Sequence, residues 1–520
     1  MNLRRYRAIS WLALALAFAP AVVSADEGGL AAKVRVVMER PAFRHSTFGL
    51  MYYDLDARKP IYSHNADEFF APASTTKVIT EGTLLALLGP DFRFRTRVYS
   101  SAPVGSNGVL NGDLILVGSG DPNLSNRVQS DGTLAFANED HAYDGDAVPG
   151  DPLTVINELA AAVAKTVKTV TGRILVDASL FPEGEHESGT GTTVSPIVIN
   201  DNVVDVTIAP GPAAGTPASM IVSPPSGYVT FVNDVKTSEP GMQPDVNFVA
   251  DKAAPDGTRT VTIAGSIPAG SKPALNAYAI PSPSTFARIA LTEALTAAGV
   301  TVHATNNAQD VDSAQSLRPT YAHGSMIAEH VSPPLSEEVK VTLKVSQNLH
   351  AHLAMYNLGI YKAHATSDVE QAGFDEERRY LAGTGADPDS AAIADGEGTA
   401  YLTPHFVVSY LAYMWNQPLF PIFDHALPVL GVDGTLWNIQ KGSPAAGHVH
   451  AKTGTDEQVD LLNRRVLVNA KGLAGYVSSR HGRHIAFAVY VNDVDVKNDE
   501  AVTSVAGQAM GELAALAYEL

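Results

Sequence analysis

The 520-residue chain contains no cysteine. That single absence removes thiol nucleophiles, thiolate metal sites and disulfides together. Positive charge is also scarce: 36 Lys and Arg stand against 55 Asp and Glu, for a net charge of −19. A chain this acidic lacks the positive surface that nucleic acid requires, and anionic lipid repels it. Long apolar runs are missing beyond the first residues, so nothing later is expected to span a membrane. The closing "VTSVAGQAMGELAALAYEL" carries Glu512 and Glu519 and reads as a helix packed on a core.

What is present is ordinary for a folded protein. Hydrophobic residues make up 45% and charged residues 18%, a soluble, globular balance. The length calls for two or three domains. Residues 1–25 stand apart. Arg4, Arg5 and Arg7 precede an apolar stretch from Ile9 to Val23, and "VVSA" places small residues before Asp26. This is the layout of a secretory signal cleaved after Ala25, and it is short for a spanning helix of about 20 residues. The expected product is exported, to the periplasm or another extracytoplasmic space. The leader holds three arginines and no acid, so cleavage leaves a still more acidic protein.

Along the chain, "LAAKVRVVMER" has helical spacing, and "FGLMYYDLD" and "KPIYSHN" read as two strands. "APASTTKVIT" then enters an apolar helix that Gly89-Pro90 ends. From about residue 97 to 283 the texture turns to Gly, Pro, Thr and Val with short alternating runs such as "DLILVGSG" and "NVVDVTIAPG". That pattern predicts small β-rich modules. Within it, the acidic "NEDHAYDGDAVPGDP" reads as a surface loop. Helical texture returns with "STFARIALTEALTAAG", and three strand-like runs precede the last helix: "GHVHAKTGT", "KGLAGYVSS" and "HIAFAVYVND". Residues 26–96 and 284–520 are therefore expected to form two parts of one α/β domain, with 97–283 inserted.

Three short motifs carry the chemistry. A serine hydroxyl is a weak nucleophile until a base activates it, and Ser74 and Lys77 are spaced to meet on one helix face. Lysine, with a reference pKa of about 10.4, accepts that proton only when burial or a nearby cation depresses it. Alone, Ser-x-x-Lys also describes a capping serine beside a solvated lysine, although it occurs once in this chain. "HAKTGTDEQ" offers the second cation, Lys452, and ends a strand with Thr453-Gly454-Thr455. Such an edge can pair with an extended peptide and offer hydroxyls to a carboxylate, while the glycine permits close approach. "KVSQNLH" supplies Ser346 to relay a proton and Asn348 to hold a lysine and a substrate carbonyl.

In the order Ser-x-x-Lys, Ser-x-Asn, Lys-Thr-Gly, the three resemble the signature of the penicillin-recognising serine enzymes. With "GDLILVGSGDP", "VINDNVVDV", "EHVSPPLSEEV" and "LPVLGVDGTL", the chain from about residue 47 to 495 is similar to the D-alanyl-D-alanine carboxypeptidase/endopeptidase family of class C low-molecular-mass penicillin-binding proteins. The resemblance implies an α/β transpeptidase-like domain of the serine β-lactamase type, an antiparallel sheet flanked by helices and split by β-rich inserted domains. It implies Ser74 as nucleophile, Lys77 as base, and Ser346 and Lys452 returning a proton to the leaving amine. It further implies Asn348 on the substrate amide, Thr453 and Thr455 on the terminal carboxylate, and an oxyanion held by the N–H groups of Ser74 and Thr455. The implied partners are peptidoglycan peptides and β-lactams, with no metal or organic cofactor. Two positions depart from the family pattern: Glu397 stands in "DGEGTAYLTP" where a serine is usual, and His352 where a glutamate is usual.

Other readings compete. No Gly-x-Ser-x-Gly elbow supports a Ser-His-Asp hydrolase. His350 and His352 fall on different helix faces and His186 in a loop, the pattern of surface or core histidines more than of a metal site. A β-lactamase shares the trio, but the chain has no Glu-x-x-Leu-Asn, and Tyr490-Val491-Asn492 ends a strand after Lys-Thr-Gly. A penicillin-binding sensor whose acyl-enzyme does not turn over also shares these residues; turnover of a D-Ala-D-Ala peptide separates the two.

Overall fold

The structure, a computed structural model, describes residues 25–303 and 316–520, so the expected leader lies almost wholly outside the described residues. The named elements run as follows. The first part comprises α1 (Ala25–Met38), β1 (Thr47–Asp54), β2 (Lys59–His64) and α2 (Lys77–Leu88). The middle holds β3 (Arg95–Ser100), β4 (Leu114–Val117), α3 (Thr154–Ala164), β5 (Ile174–Asp177), β6 (Val203–Ala209), β7 (Ser219–Ser223), β8 (Val229–Ser238), β9 (Asp245–Ala253), β10 (Arg259–Pro268), β11 (Ala274–Ala279), α4 (Pro283–Ala297) and β12 (Met326–Val331). The last part brings α5 (Leu335–Val345), α6 (Asn348–Tyr361), α7 (Pro404–Trp415), β13 (Val449–Asp460), β14 (Arg465–Ser478), β15 (His484–Val496) and α8 (Gln508–Tyr518).

Five strands in the order β13-β14-β15-β1-β2 form an antiparallel sheet. The two ends of the chain meet inside it, where Leu50 of β1 opposes Val489 of β15. Successive side chains on a strand point to opposite faces, and β15 uses both. Ala486, Ala488 and Tyr490 pack under α2, α5 and α7 with Val78, Leu343 and Phe406. Ile485, Phe487 and Val489 pack on the other face with Val34, Leu513 and Ala514 of α1 and α8. Full burial of each such large side chain contributes about 1.5–3 kcal/mol, which is why this strand reads as one continuous apolar run. Among the described residues no helix is long and apolar enough to cross a membrane.

The middle segment has its own core. The sheet β12-β3-β4-β5 is covered by α3 and α4, with Leu114, Ile174, Val155, Leu159, Phe286 and Leu291 in one cluster. Two three-stranded sheets, β11-β6-β7 and β8-β10-β9, extend it. The return to the first core therefore comes later than expected from the sequence. α4 and β12 are expected from the sequence in the second catalytic part, 284–520, but α4 packs on α3, and β12 pairs with β3 in the middle segment's sheet. The helical texture at "STFARIALTEALTAAG" was legible; which core it covers was not.

A second correction concerns residues 138–152, expected as a surface loop. Asp140 and His141 are buried, and Asp140 is paired with the buried Arg127. Nothing in the local sequence announces this, because the partner cation lies outside the acidic run.

Candidate active site

Ser74 does not lie on α2 but on the turn before it. Ala73–Thr76 is one 3-10 turn, held by the Thr75 and Thr76 hydroxyls donating to Pro72 O and Ala73 O, both at 2.9 Å. In 3-10 geometry residues three apart eclipse, so Ser74 stands directly over Lys77, the first residue of α2. Ala73 adopts a left-handed φ of 46°, a conformation that costs a non-glycine residue energy and recurs at functional sites.

Lys77 is fully buried. Its Nζ lies 2.9 Å from Ser74 Oγ, 2.8 Å from Ser346 O and 3.3 Å from Ser346 Oγ, and also contacts Asn348 Oδ1. Ser346 reaches it because φ of 65° at the end of α5 turns both its oxygens toward the lysine. Asn348 opens α6 behind the Gln347 side chain, whose oxygen accepts from the Leu349 N–H at 3.0 Å.

The third motif arrives on β13, the edge of the sheet. Lys452 Nζ donates to Ser346 Oγ at 2.7 Å and to Thr453 O at 2.8 Å. Thr453 Oγ1 donates to Thr435 Oγ1 at 2.8 Å. At Gly454 an added Cβ would lie 2.2 Å from Pro72 O and 3.1 Å from Thr75 N. Only a residue without a side chain lets this strand rest on the Ser74 turn. The eight residues singled out from the sequence thus converge on one site. Ser74, Ser346, Asn348, Thr453 and Thr455 line a cavity of about 920 Å³, with Lys77 and Lys452 buried among them.

Burial pushes the Lys77 ammonium down to about 8, against the pull of Glu397, Glu187, Glu81 and Asp395. Burial, with Lys77 and Lys471 nearby, holds Lys452 well below its ordinary value. The two departures noted in the sequence turn out to face each other. Glu397 Oε1 accepts from the Ser188 N–H and lies 3.0 Å from both that nitrogen and His352 Nδ1. Beside it, a Cβ on Gly398 would lie 2.8 Å from the Ala73 carbonyl carbon and 3.1 Å from Ser74 N. This turn, with Asp395 Oδ1 accepting from the N–H groups of residues 397, 398 and 399, backs the serine directly.

Sequence reasoning missed three residues of the site. Tyr143, on the inserted segment, donates its hydroxyl proton to Ser346 O at 2.9 Å and accepts from the Asn348 N–H at 3.0 Å. Thr435 supports Thr453, and Lys471 contacts Thr455 Oγ1. Only Lys471 carried a signal, as a lysine at a position opposite the Lys-Thr-Gly strand. The geometry as a whole can activate a hydroxyl and relay a proton through Ser346 between two depressed lysines.

A family described as "D-Ala-D-Ala carboxypeptidase 3 (S13) family" matches residues 30–515. A D-alanyl-D-alanine carboxypeptidase from an Actinomadura species is 28% identical over 484 residues, covering 88% of this chain and 80% of that protein. The D-alanyl-D-alanine carboxypeptidase DacB of Haemophilus influenzae is 23% identical over 480 residues, 88% of each. The crystal structure of penicillin binding protein 4 (dacB) from Haemophilus influenzae superposes with a TM-score of 0.71 at 20% identity, over 94% of this chain and 99% of that one. That likeness shows the fold.

Proposed function

The chain belongs to the D-Ala-D-Ala carboxypeptidase 3 (S13) family, and from that premise we propose that Ser74 is the nucleophile that opens the bond between two D-alanines. The protein is a serine-type D-Ala-D-Ala carboxypeptidase with a penicillin-binding fold. The observation that carries the residue assignment is the 2.9 Å approach of the buried Lys77 Nζ to Ser74 Oγ.

Neutral Lys77 takes the Ser74 proton as Oγ attacks the carbonyl carbon of the penultimate D-Ala. The carbonyl oxygen, now negative, is held by the N–H groups of Ser74 and Thr455, a preorganised arrangement of the kind worth several kcal/mol in other hydrolases. The C–N bond then breaks, and the leaving amine receives a proton through Ser346 Oγ from the lysine pair that contacts it. Water attacks the Ser74 ester, the acid leaves, and the serine regains its proton. The edge strand β13 aligns the peptide, Asn348 holds its amide, and Thr453 and Thr455 meet its terminal carboxylate. A β-lactam acylates the same oxygen and stays, because its leaving group remains tethered. An arginine-led apolar segment at residues 1–25 supports export of the enzyme to the compartment where peptidoglycan peptides and β-lactams are met.

The test is intact mass after incubation with a β-lactam, with a D-Ala release assay alongside. The parent is expected to carry one stable adduct and to release D-Ala, and Ser74→Ala to do neither. Hydrolysis of the drug without an adduct would make the protein a β-lactamase; an adduct without D-Ala release would make it a sensor. Absence of both adduct and hydrolysis at every drug concentration would overturn Ser74 as nucleophile.

A further inference from the structure

One buried cation in the cavity wall has no task in this mechanism. Lys471 lies on β14 directly opposite Thr455 of β13, and paired residues of neighbouring strands share a face. Its side chain is buried, with 9% of the residue exposed, and lines the same cavity as Ser74. Its Nζ donates to Thr455 Oγ1 at 2.5 Å. The stem runs past the π-helical turn Val502–Gly507, where an added Cβ at Gly507 would lie 3.7 Å from Lys471 Cε.

Among the described residues no carboxylate comes within 4.0 Å of that Nζ. A buried charge without a counter-ion is costly to the fold, so its presence asks for a ligand. An ammonium has three N–H donors; the structure engages one, on the hydroxyl assigned to the substrate's terminal carboxylate, and leaves two. Glu457, the nearest acid to influence it, only offsets part of the burial that brings Lys471 down to about 8. Lys77 and Lys471 both lie near enough to depress Lys452, so Lys471 is one of three clustered buried amines, and it is the one that lines the cavity, where the acids Glu397, Asp456 and Glu457 stand on other parts of the wall.

We infer that Lys471 is the cationic anchor for the C-terminal carboxylate of the D,D-peptide, acting beside the Thr455 hydroxyl, and that it makes a free carboxylate a condition of tight substrate binding. The inference rests on the Ser74 reading above. Hydroxyls can donate to a carboxamide oxygen as well as to a carboxylate; the ammonium adds a charge pair that only the carboxylate can meet. Lys471 does not touch the scissile bond, so it governs binding and discrimination more than the chemical step.

The experiment compares an N-acylated D-Ala-D-Ala peptide with its C-terminal carboxamide on the full-length mature enzyme, on Lys471→Gln and on Lys471→Arg, each also tested for Ser74 labelling by a β-lactam. The parent is expected to favour the free acid at least tenfold in kcat/KM. Lys471→Gln is expected to raise KM for the acid by about 10- to 100-fold, as loss of a charged hydrogen bond implies, with little change for the amide. Lys471→Arg restores the preference. Equal losses on both peptides would make Lys471 structural and overturn the inference, as would a parent with no preference for the acid, a result that needs no variant. Ser74 labelling retained in all three proteins alongside an unchanged acid-to-amide ratio overturns Lys471 alone. A parent that is neither labelled nor active overturns the Ser74 reading and this one with it.

Discussion

At the scale of single residues, the site works by keeping amines out of water. Lys77 acts as a base only when neutral, and burial places its transition near 8. The rate constant for acylation by a β-lactam is therefore expected to climb as pH rises through about 8 and to level off above it. Lys77 in turn helps to depress Lys452, so the proton that passes through Ser346 moves between two amines held below their ordinary value. Glu397 pulls in the opposite sense, its negative charge raising the Lys77 value. Glu397→Gln keeps an acceptor for the Ser188 N–H and deletes that charge, so the same profile is expected to move to lower pH. Stopped-flow acylation between pH 6 and 10 reads both effects; a flat profile, or a variant curve shifted to higher pH, would count against Lys77 as the base.

At the scale of elements, the decisive contact is a strand resting on a turn. Gly454→Ala would push a methyl to within 2.2 Å of Pro72 O, and the obstacle is backbone, which cannot swing aside. Over-packing of this kind costs about 1–3 kcal/mol. The expected result is a modest fall in thermal midpoint with a much larger loss of acylation, because the strand and the serine must keep their distance for the oxyanion to be held. Calorimetry and intact-mass kinetics on the variant check the split; loss of both in proportion would mean the glycine serves folding alone. The motif order was legible because each motif is local, and so were β14 and β15, most of whose residues are buried, whereas β13 was legible only as far as Thr455, beyond which it runs largely exposed to Asp460. Ser74 as part of a 3-10 turn was not, since Ser-x-x-Lys spacing suits both helix types. The inserted Tyr143 was also invisible: its partners, Ser346 and Asn348, are over 200 positions away, and no pattern within an acidic loop encodes them.

At the scale of the whole molecule, the inserted segment and the catalytic helices are tied by a buried charge network. Arg127 pairs with Asp140 and Asp201; Asp201 also contacts His141 at 2.8 Å and, across the junction, His350 of α6 at 2.9 Å. His141 further faces Asp205, and His350 faces Glu338 of α5 at 3.0 Å. Despite the desolvation that opposes it, this surrounding negative charge raises both histidines to about 10. Arg127 and the histidines hold Asp201 well below its ordinary value. A histidine raised on folding stabilises fully below its unfolded value of about 6.5, and the contribution is lost as pH climbs toward the folded one. A carboxylate lowered on folding stabilises above its ordinary range and loses that only in strong acid. The network is therefore expected to hold the two cores together best between about pH 4 and 6.5, with thermal stability declining from there toward pH 10. Asp201→Asn leaves Arg127 and both histidines short of their shared counter-ion, and breaking a buried pair in this way costs about 3–5 kcal/mol. The variant should melt earlier at pH 6 and lose much of the alkaline slope. It should also acylate more slowly, because the loop that presents Tyr143 to Ser346 and Asn348 is anchored through Asp140 and His141. Melting curves of parent and variant from pH 5 to 10, with acylation rates at one pH, test the argument. If the two proteins share one slope and one rate, the charge network neither joins the cores nor positions the site.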